Sequence, residues 1–225
     1  MKKLIIILTV FLLGLSGWPG FCQDIEKSMA LTNPYLEYSD ACKILNGSAY
    51  ITITGIHSYS SEKLWKDLKI ISDNDIKKII ILMNSGGGDA EDGLAMADML
   101  RMFRIAHPET TIVIEGLGRI MSAAILLYIQ GTKRICSPTT TFLIHPAKVW
   151  EFQVPIKQSD QKSIEKDLEN TKAQLEHMKK IKDLYSETVL SRTKLTKEKL
   201  EELIQKDSYF WPDQAKEWGF VDEIK

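Results

Sequence analysis

Apolar side chains recur with a period of two in some segments and with helical spacing in others, and the two kinds of segment alternate along the chain. The alternating or continuously apolar segments predict strands at residues 48–55, 77–84, 110–116, 133–138 and 139–145. The segments with helical spacing predict helices at residues 61–73, 94–104, 122–131 and 196–205, the last capped by Thr196. Strands that alternate with helices in this way predict an α/β fold of βαβ units with parallel strand pairing.

One further helix is predicted to be much longer than the others, from about residue 160 to residue 190. Its apolar face is carried by Ile164, Leu168, Leu175, Met178, Ile181 and Tyr185. The lysines on the rest of this segment alternate with acidic residues, which is typical of a solvated helix face. One domain over residues 47–225 accounts for all of these elements.

The N-terminus has the layout of a secretory signal peptide. Two lysines precede an apolar run of about 14 residues, which is shorter than a transmembrane helix requires. Small residues at Gly20 and Cys22 predict cleavage after residue 22. We therefore expect an exported, periplasmic protein, with an uncleaved N-terminal anchor as the alternative. Residues 23–46 show no clear pattern and are predicted to be irregular.

Charge and cysteine content give expectations for nucleic-acid binding, disulfide pairing and metal binding. The chain has 29 basic and 30 acidic residues, and residues 1–22 hold two lysines and no acid, so the remainder carries a net charge of −3. With no basic stripe, nucleic-acid binding is not expected. Cys42 and Cys136 could pair in an exported protein, although Cys136 lies in a strand and is predicted to be buried. No spacing typical of a metal site occurs, so neither metal nor cofactor is expected.

Three consecutive glycines, Gly86, Gly87 and Gly88, follow a buried strand and precede a helix. The pattern lacks the Gly-Lys-Ser/Thr ending of a phosphate loop, and Asp89 would repel a phosphate at the helix start. One interpretation is a tight turn that needs positive φ. The other is an oxyanion hole, because residues without Cβ let backbone N–H groups approach a substrate carbonyl closely.

Three side chains predict nucleophilic catalysis if they converge. Ser122 opens an apolar helix after a strand, where it could be a nucleophile or only a helix N-cap. His145 ends a strand just before Pro146, and Asp207 could orient its imidazole as a serine-histidine-aspartate triad requires.

Three motifs in this order resemble the proteolytic subunit of the Clp protease family. Residues 81–88, "ILMNSGGG", resemble its Asn-Ser-Pro-Gly-Gly turn, with Gly86 in place of the proline. Residues 133–145, "KRICSPTTTFLIH", resemble the segment that ends in its catalytic histidine. Residues 206–224, "KDSYFWPDQAKEWGFVDEI", resemble the segment that carries its catalytic aspartate. The resemblance covers residue 47 to the C-terminus and implies a fold of repeated βαβ units, as in the Clp and crotonase superfamily, with a long protruding handle helix.

The nucleophile segment departs from the family form Gly-x-Ala-Ala-Ser-Met-Gly-Ala. Counting without a gap from Gly116, or back from His145, places Ile120 at the nucleophile position and predicts an inactive relative. Two extra residues after Gly116 place Ser122 there instead. We favour Ser122, because the small residues Ala123 and Ala124 follow it and allow close helix packing.

The resemblance implies a role for each matched residue. Ser122 would be the nucleophile, His145 the base and Asp207 its orienting group, with the N–H groups of Gly88 and Ala123 as the oxyanion hole. The residues Gly86, Gly87 and Asp89 would frame an extended peptide substrate.

The family works as stacked rings fed by an ATPase, so a homo-oligomeric ring is expected. An exported protein would not meet an ATPase, which predicts an ATP-independent serine endopeptidase. Three alternatives stay open: an inactive ring component with Ile120 at the site, a serine-lysine peptidase with Lys162 or Lys166 as base, and an acyl-CoA enzyme of the crotonase type.

Overall fold

The computed structural model describes residues 42–146 and 161–225, with no side-chain detail for residues 161–164. The strands are β1 (Lys43–Leu45), β2 (Ser48–Ile53), β3 (Lys78–Ser85), β4 (Thr111–Met121), β5 (Lys133–Cys136), β6 (Thr141–Ile144), β7 (Ser208–Phe210) and β8 (Glu223–Ile224). The helices are α1 (Ser58–Asp73), α2 (Ala90–Ala106), α3 (Ala124–Tyr128), α4 (Gln161–Arg192), α5 (Lys197–Ile204) and α6 (Pro212–Glu217). The predicted signal peptide lies outside the described residues.

The strands form one sheet in the order β1-β2-β3-β4-β5-β8, with β6 and β7 branching from β4. The pairs β2–β3, β3–β4, β4–β5, β4–β6 and β5–β8 are parallel, as the alternation of strands and helices predicts. Fully buried isoleucines of β3 and β4 pack against α1, α2 and α3 to form the core. The predicted α/β fold of βαβ units is therefore confirmed.

The first hairpin lies in the segment that was predicted to be irregular. β1 pairs antiparallel with β2 across a two-residue turn, in which Asn46 and Gly47 have φ of 49° and 72°. Positive φ at both positions is the geometry of a type I′ turn, and Asn-Gly is its preferred sequence. This hairpin extends the domain to the N-terminal side of residue 47.

Two elements differ in length from the prediction. β4 continues five residues beyond Gly116, so that its first half pairs with β5 and its last residues pair with β6. The apolar run after it forms only a five-residue helix, α3, whose residues are all buried. The apolar content of this run reflects burial on every side rather than a long helix.

The long helix is present as α4, which spans 32 residues. Its predicted apolar face divides into two parts. Leu168 and Leu175 are 54% and 50% exposed, whereas Met178, Ile181 and Tyr185 are partly buried against the domain. The first half of α4 therefore leaves Leu168 and Leu175 exposed in the single chain. None of the helices among the described residues is both long and apolar enough to cross a membrane.

Both cysteines that were considered for pairing are free thiols. Cys136 is buried in β5, as predicted, and burial raises the pKa of its thiol to about 11. Cys42 is half-buried, and its backbone N–H donates to the Asp67 carboxylate.

Candidate active site

The end of β4 contains a bulge that carries the chain to Ser122. Met83 pairs with Gly116 and Ser85 pairs with Ile120, so β4 advances four residues while β3 advances two. Gly118 has φ of 82°, and the N–H of Arg119 donates to the Asn84 side chain at 3.2 Å. A bulge of this kind re-aims the residues that follow it. Two extra residues thus lie between Gly116 and Ile120.

Ser122 occupies a strained corner between β4 and α3. Its φ is 55°, a left-handed conformation that costs a non-glycine residue on the order of 1–2 kcal/mol. Its N–H donates to the carbonyl of Leu143 in β6 at 2.8 Å, and its side chain is half-buried. The N-cap of α3 is Ala123, and it makes no side-chain capping bond. Ser122 is therefore not the capping residue of this helix.

Ile120 lies two residues earlier, in a different environment. Its side chain is completely buried in the core, and it pairs with Ser85 on one side and Phe142 on the other. A side chain at this position cannot reach a substrate at the surface without leaving the core. The ungapped alignment that assigns Ile120 to the nucleophile position thus conflicts with its burial.

The glycine turn packs directly against the Ser122 corner. A Cβ added to Gly87 would lie 2.7 Å from the Ser122 Cβ and 3.3 Å from the Ala123 nitrogen. On its other side, the turn forms a parallel bridge with Ile56, whose N–H donates to the carbonyl of Gly87 at 3.1 Å. Gly87 has φ of 98° and Gly88 has φ of 147°. Both positions therefore need glycine, and the bridge fixes the turn beside the serine.

Two backbone N–H groups at this junction stay unused. Within residues 42–146 and 161–225, neither the Gly88 N–H nor the Ala123 N–H donates a hydrogen bond to another protein group. Backbone donors that lie next to a strained serine are what an oxyanion hole requires.

Asp89 is fully engaged in local structure. Its carboxylate caps α2 by accepting from the N–H groups of Glu91 and Asp92, and its own N–H donates to the carbonyl of Ile56. Its side chain therefore organises the helix start. Gly86, by contrast, is exposed, has nothing within 4 Å of an added Cβ, and does not have a positive φ.

His145 directly follows β6 and Asp207 directly precedes β7, and these two strands pair. Ile144 lies opposite Ser208 in an antiparallel register, so His145 and Asp207 are the next residues at adjacent strand ends. The His145 Nδ1 lies 2.6 Å from the carbonyl oxygen of Pro146. When Nδ1 donates this hydrogen bond, Nε2 is left as the acceptor, which is the tautomer of a general base.

The bond between Ser122 and Leu143 links this pair to the serine, since Leu143 precedes His145 by two residues. All three predicted triad residues thus lie on neighbouring chain segments. Sequence reasoning missed Asn84, which anchors the bulge, although its place directly before the glycine turn could have suggested a role. Lys166 is exposed near the start of α4, and the side chain of Lys162 lies outside the described region.

A sequence model of the Clp protease family matches residues 36–225. This chain belongs to the Clp protease family. The chain is 27% identical over 151 residues to the ATP-dependent Clp protease proteolytic subunit 1 of Chlamydia abortus, covering 67% of this chain and 71% of the relative. It is 29% identical over 186 residues to proteolytic subunit 2 of Treponema denticola, covering 81% and 84%.

The fold of the chain is also similar to that of a solved Clp protease subunit. A mutant of ClpP1 from Listeria monocytogenes superimposes with a TM-score of 0.62 at 22% identity, covering 78% of this chain and 90% of that one. At this identity the likeness concerns the fold alone. The chain therefore has the Clp protease fold, as the resemblance of its motifs implied.

Proposed function

We propose that this protein is a serine endopeptidase that cleaves peptides or unfolded segments. The observation that carries the proposal is the Ser122 corner, where a strained, half-exposed serine lies next to the unused N–H groups of Gly88 and Ala123. Strain at a non-glycine residue persists only where surrounding structure enforces it, and it concentrates at functional sites. The Leu143 bond and the packing of Gly87 enforce it here.

Each group then has a defined task in peptide hydrolysis. The Ser122 Oγ attacks the peptide carbonyl while the His145 Nε2 takes its proton, and the N–H groups of Gly88 and Ala123 stabilise the oxyanion. His145 returns the proton to the leaving amine, and water hydrolyses the acyl-enzyme by the same steps in reverse roles. One oxyanion donor of this kind contributes about 3–4 kcal/mol.

Asp207 would orient the imidazole of His145. The proposal requires the Nδ1 proton to be donated to the Asp207 carboxylate in the active arrangement, rather than to the Pro146 carbonyl. Asp207 as the partner is supported by the pairing of Ile144 with Ser208, since His145 and Asp207 are the residues next to this pair in the chain. A carboxylate partner stabilises the imidazolium that forms during catalysis, which a carbonyl does less well.

We further propose that the protein is exported and acts without an ATPase, in contrast to the relatives whose names include "ATP-dependent". The layout of residues 1–22 supports export. Self-assembly is supported by Leu168 and Leu175, which lie seven residues apart on the same side of α4 and are both exposed in the single chain.

The direct test compares two serine variants. Ser122→Ala should abolish cleavage of a fluorogenic peptide and labelling by a fluorophosphonate probe. Ser137→Ala is the matched control, because its hydroxyl lies at the end of neighbouring strand β5 and bonds only to Thr139 and Thr140 within the described residues. It should keep both activities. Labelling of Ser122→Ala at the wild-type rate would refute the assignment, and an unlabelled wild-type protein would favour a non-catalytic ring component.

A further inference from the structure

A cavity lies away from the serine, between α2, the residues that follow α3 and the last turns of α4. Its volume is about 440 Å³, within the range of small-ligand sites. None of the residues of the candidate active site lines it. Whatever binds here would therefore not compete directly with a substrate at Ser122.

Two guanidinium groups give this cavity its charge. The Arg104 Nη1 donates to the carbonyl of Gln130, and Arg192 donates to the carbonyls of Ile129 and Gly131. These bonds fix both guanidinium groups, but each group keeps N–H donors that are not used in them. Neither arginine forms an ion pair with a carboxylate in residues 42–146 or 161–225. Burial and the nearby charges of Arg104 and Arg134 lower the pKa of Arg192, and the more weakly acting Asp222 carboxylate opposes them.

Gln130, which lines the cavity, has an unsatisfied acceptor. Gln130 is only 3% exposed, and its Nε2 donates to the carbonyl of Leu126 at 3.3 Å, which fixes the orientation of the amide. Its Oε1 has no hydrogen-bond partner. A buried acceptor without a partner costs about 1–3 kcal/mol, and a ligand that brings an N–H or O–H donor would remove this cost.

The remaining wall is partly apolar. Leu94 and Ala97 come from α2 and Leu184 from α4, next to the hydroxyl of Thr188. At the rim, Arg101 is already paired with Asp98 at 2.9 Å. The cavity thus has two guanidinium groups without a carboxylate partner among the described residues, one acceptor without a donor, and an aliphatic surface.

These features match the end of a peptide chain. We propose that the cavity binds the C-terminal residue of a peptide, with its α-carboxylate on Arg104 and Arg192, its amide N–H on the Gln130 Oε1, and an aliphatic side chain against Leu94 and Leu184. A guanidinium fork suits a carboxylate because it can donate two parallel hydrogen bonds. This binding does not depend on the peptidase activity proposed above, so either can fail without the other.

The test uses ligands that each lack one feature. Binding of N-acetyl-leucine to the full-length protein is measured by calorimetry against N-acetyl-leucinamide, which has no carboxylate, and 4-methylpentanoate, which has no N–H. We expect N-acetyl-leucine to bind roughly tenfold or more tightly than either, since each loses a hydrogen bond to a charged or buried group. Equal binding of the amide, or binding of inorganic phosphate as tight as that of N-acetyl-leucine, would overturn the proposal.

A variant places a competing carboxylate inside the cavity. Gln130→Glu offers Arg104 and Arg192 an internal anion, so N-acetyl-leucine should bind at least about tenfold more weakly, while the thermal unfolding temperature is kept or raised. The control is Lys69→Met, which removes one cation from an exposed ion pair with Asp73 on α1, outside the cavity; its affinity should stay within about twofold of the wild type. Unchanged affinity in Gln130→Glu would contradict the proposed contacts.

Discussion

Gly87 is the residue whose substitution tests the geometry of the candidate active site most sharply. It has φ of 98°, and an added Cβ would lie 2.7 Å from the Ser122 Cβ and 2.8 Å from the carbonyl oxygen of Met121. Ordinary van der Waals contact begins near 3.4 Å. In Gly87→Ala, either the turn or the serine must therefore move by about 0.7 Å, the difference between these distances.

The size of this displacement sets the expected effect. A shift of about 1 Å in a catalytic group can cost about 100-fold in rate, so we expect Gly87→Ala to lower kcat by roughly 10- to 100-fold. The positive φ adds strain of about 1–3 kcal/mol to the folded state. Because the turn is bridged to Ile56, it cannot simply swing away from Ser122.

The matched control is the preceding glycine. Gly86→Ala adds the same methyl group one residue earlier, where nothing lies within 4 Å and φ is not positive. Both variants are measured for kcat and KM on a fluorogenic peptide, for the rate of fluorophosphonate labelling, and for thermal stability. We expect Gly86→Ala to keep near wild-type kcat and stability.

Two results would refute this reasoning. Wild-type kcat in folded Gly87→Ala would mean that the turn does not position Ser122. Equal losses of kcat in the two variants would mean that the turn acts through its flexibility, and not through its contact with the serine. Thermal stability separates both results from simple unfolding.

Three further predictions concern the core, an ion pair and the long helix. Ile120→Val should lower stability by about 0.5–1.5 kcal/mol in urea unfolding, because the side chain is fully buried, yet leave labelling per folded molecule unchanged. Burial raises the pKa of Asp222, but hydrogen bonds from Arg134 and its charge outweigh this and lower it overall below 3.8. The stabilisation from this pair is therefore present above that pH and is lost as the pH falls through the folded-state pKa. Asp222→Asn should thus be less stable than wild type at pH 7, and the difference should shrink as the pH falls through that pKa. Leu168→Glu with Leu175→Glu should reduce the assembled fraction in analytical ultracentrifugation if the exposed half of α4 mediates assembly.

Much of the fold follows from local patterns that burial imposes. Strands β2, β3 and β5 and helices α2 and α5 lie where alternation and helical spacing predict them, and Thr196 caps α5 by accepting from the Lys199 N–H. These patterns are strong because each element buries one side or both against the same core. The Asn-Gly signal of the first hairpin was present at residues 46–47 but was missed, since β1 has only three residues and two of them are exposed.

The lengths of elements were less predictable, because apolar content does not distinguish a helix from other buried chain. The run after Ser122 is apolar over residues 123–129, yet only five of its residues form α3. On α4 the reverse holds: an apolar stripe is continuous in sequence, but Leu168 and Leu175 are exposed in the single chain.

Spacing in the sequence does not decide whether Ser122 or Ile120 occupies the nucleophile position, because β4 contains a bulge between Gly116 and Ile120. The two extra residues lie between Gly116 and Ile120, where residues 117–119 are exposed and so carry no periodic pattern that could reveal an insertion. Counting without a gap therefore places Ile120 at the nucleophile position. Burial favours Ser122 over Ile120, because Ile120 returns to the core opposite Ser85 and is completely buried there. The chain turns at Ser122, whose positive φ is the conformational cost of leaving the sheet beside Gly87.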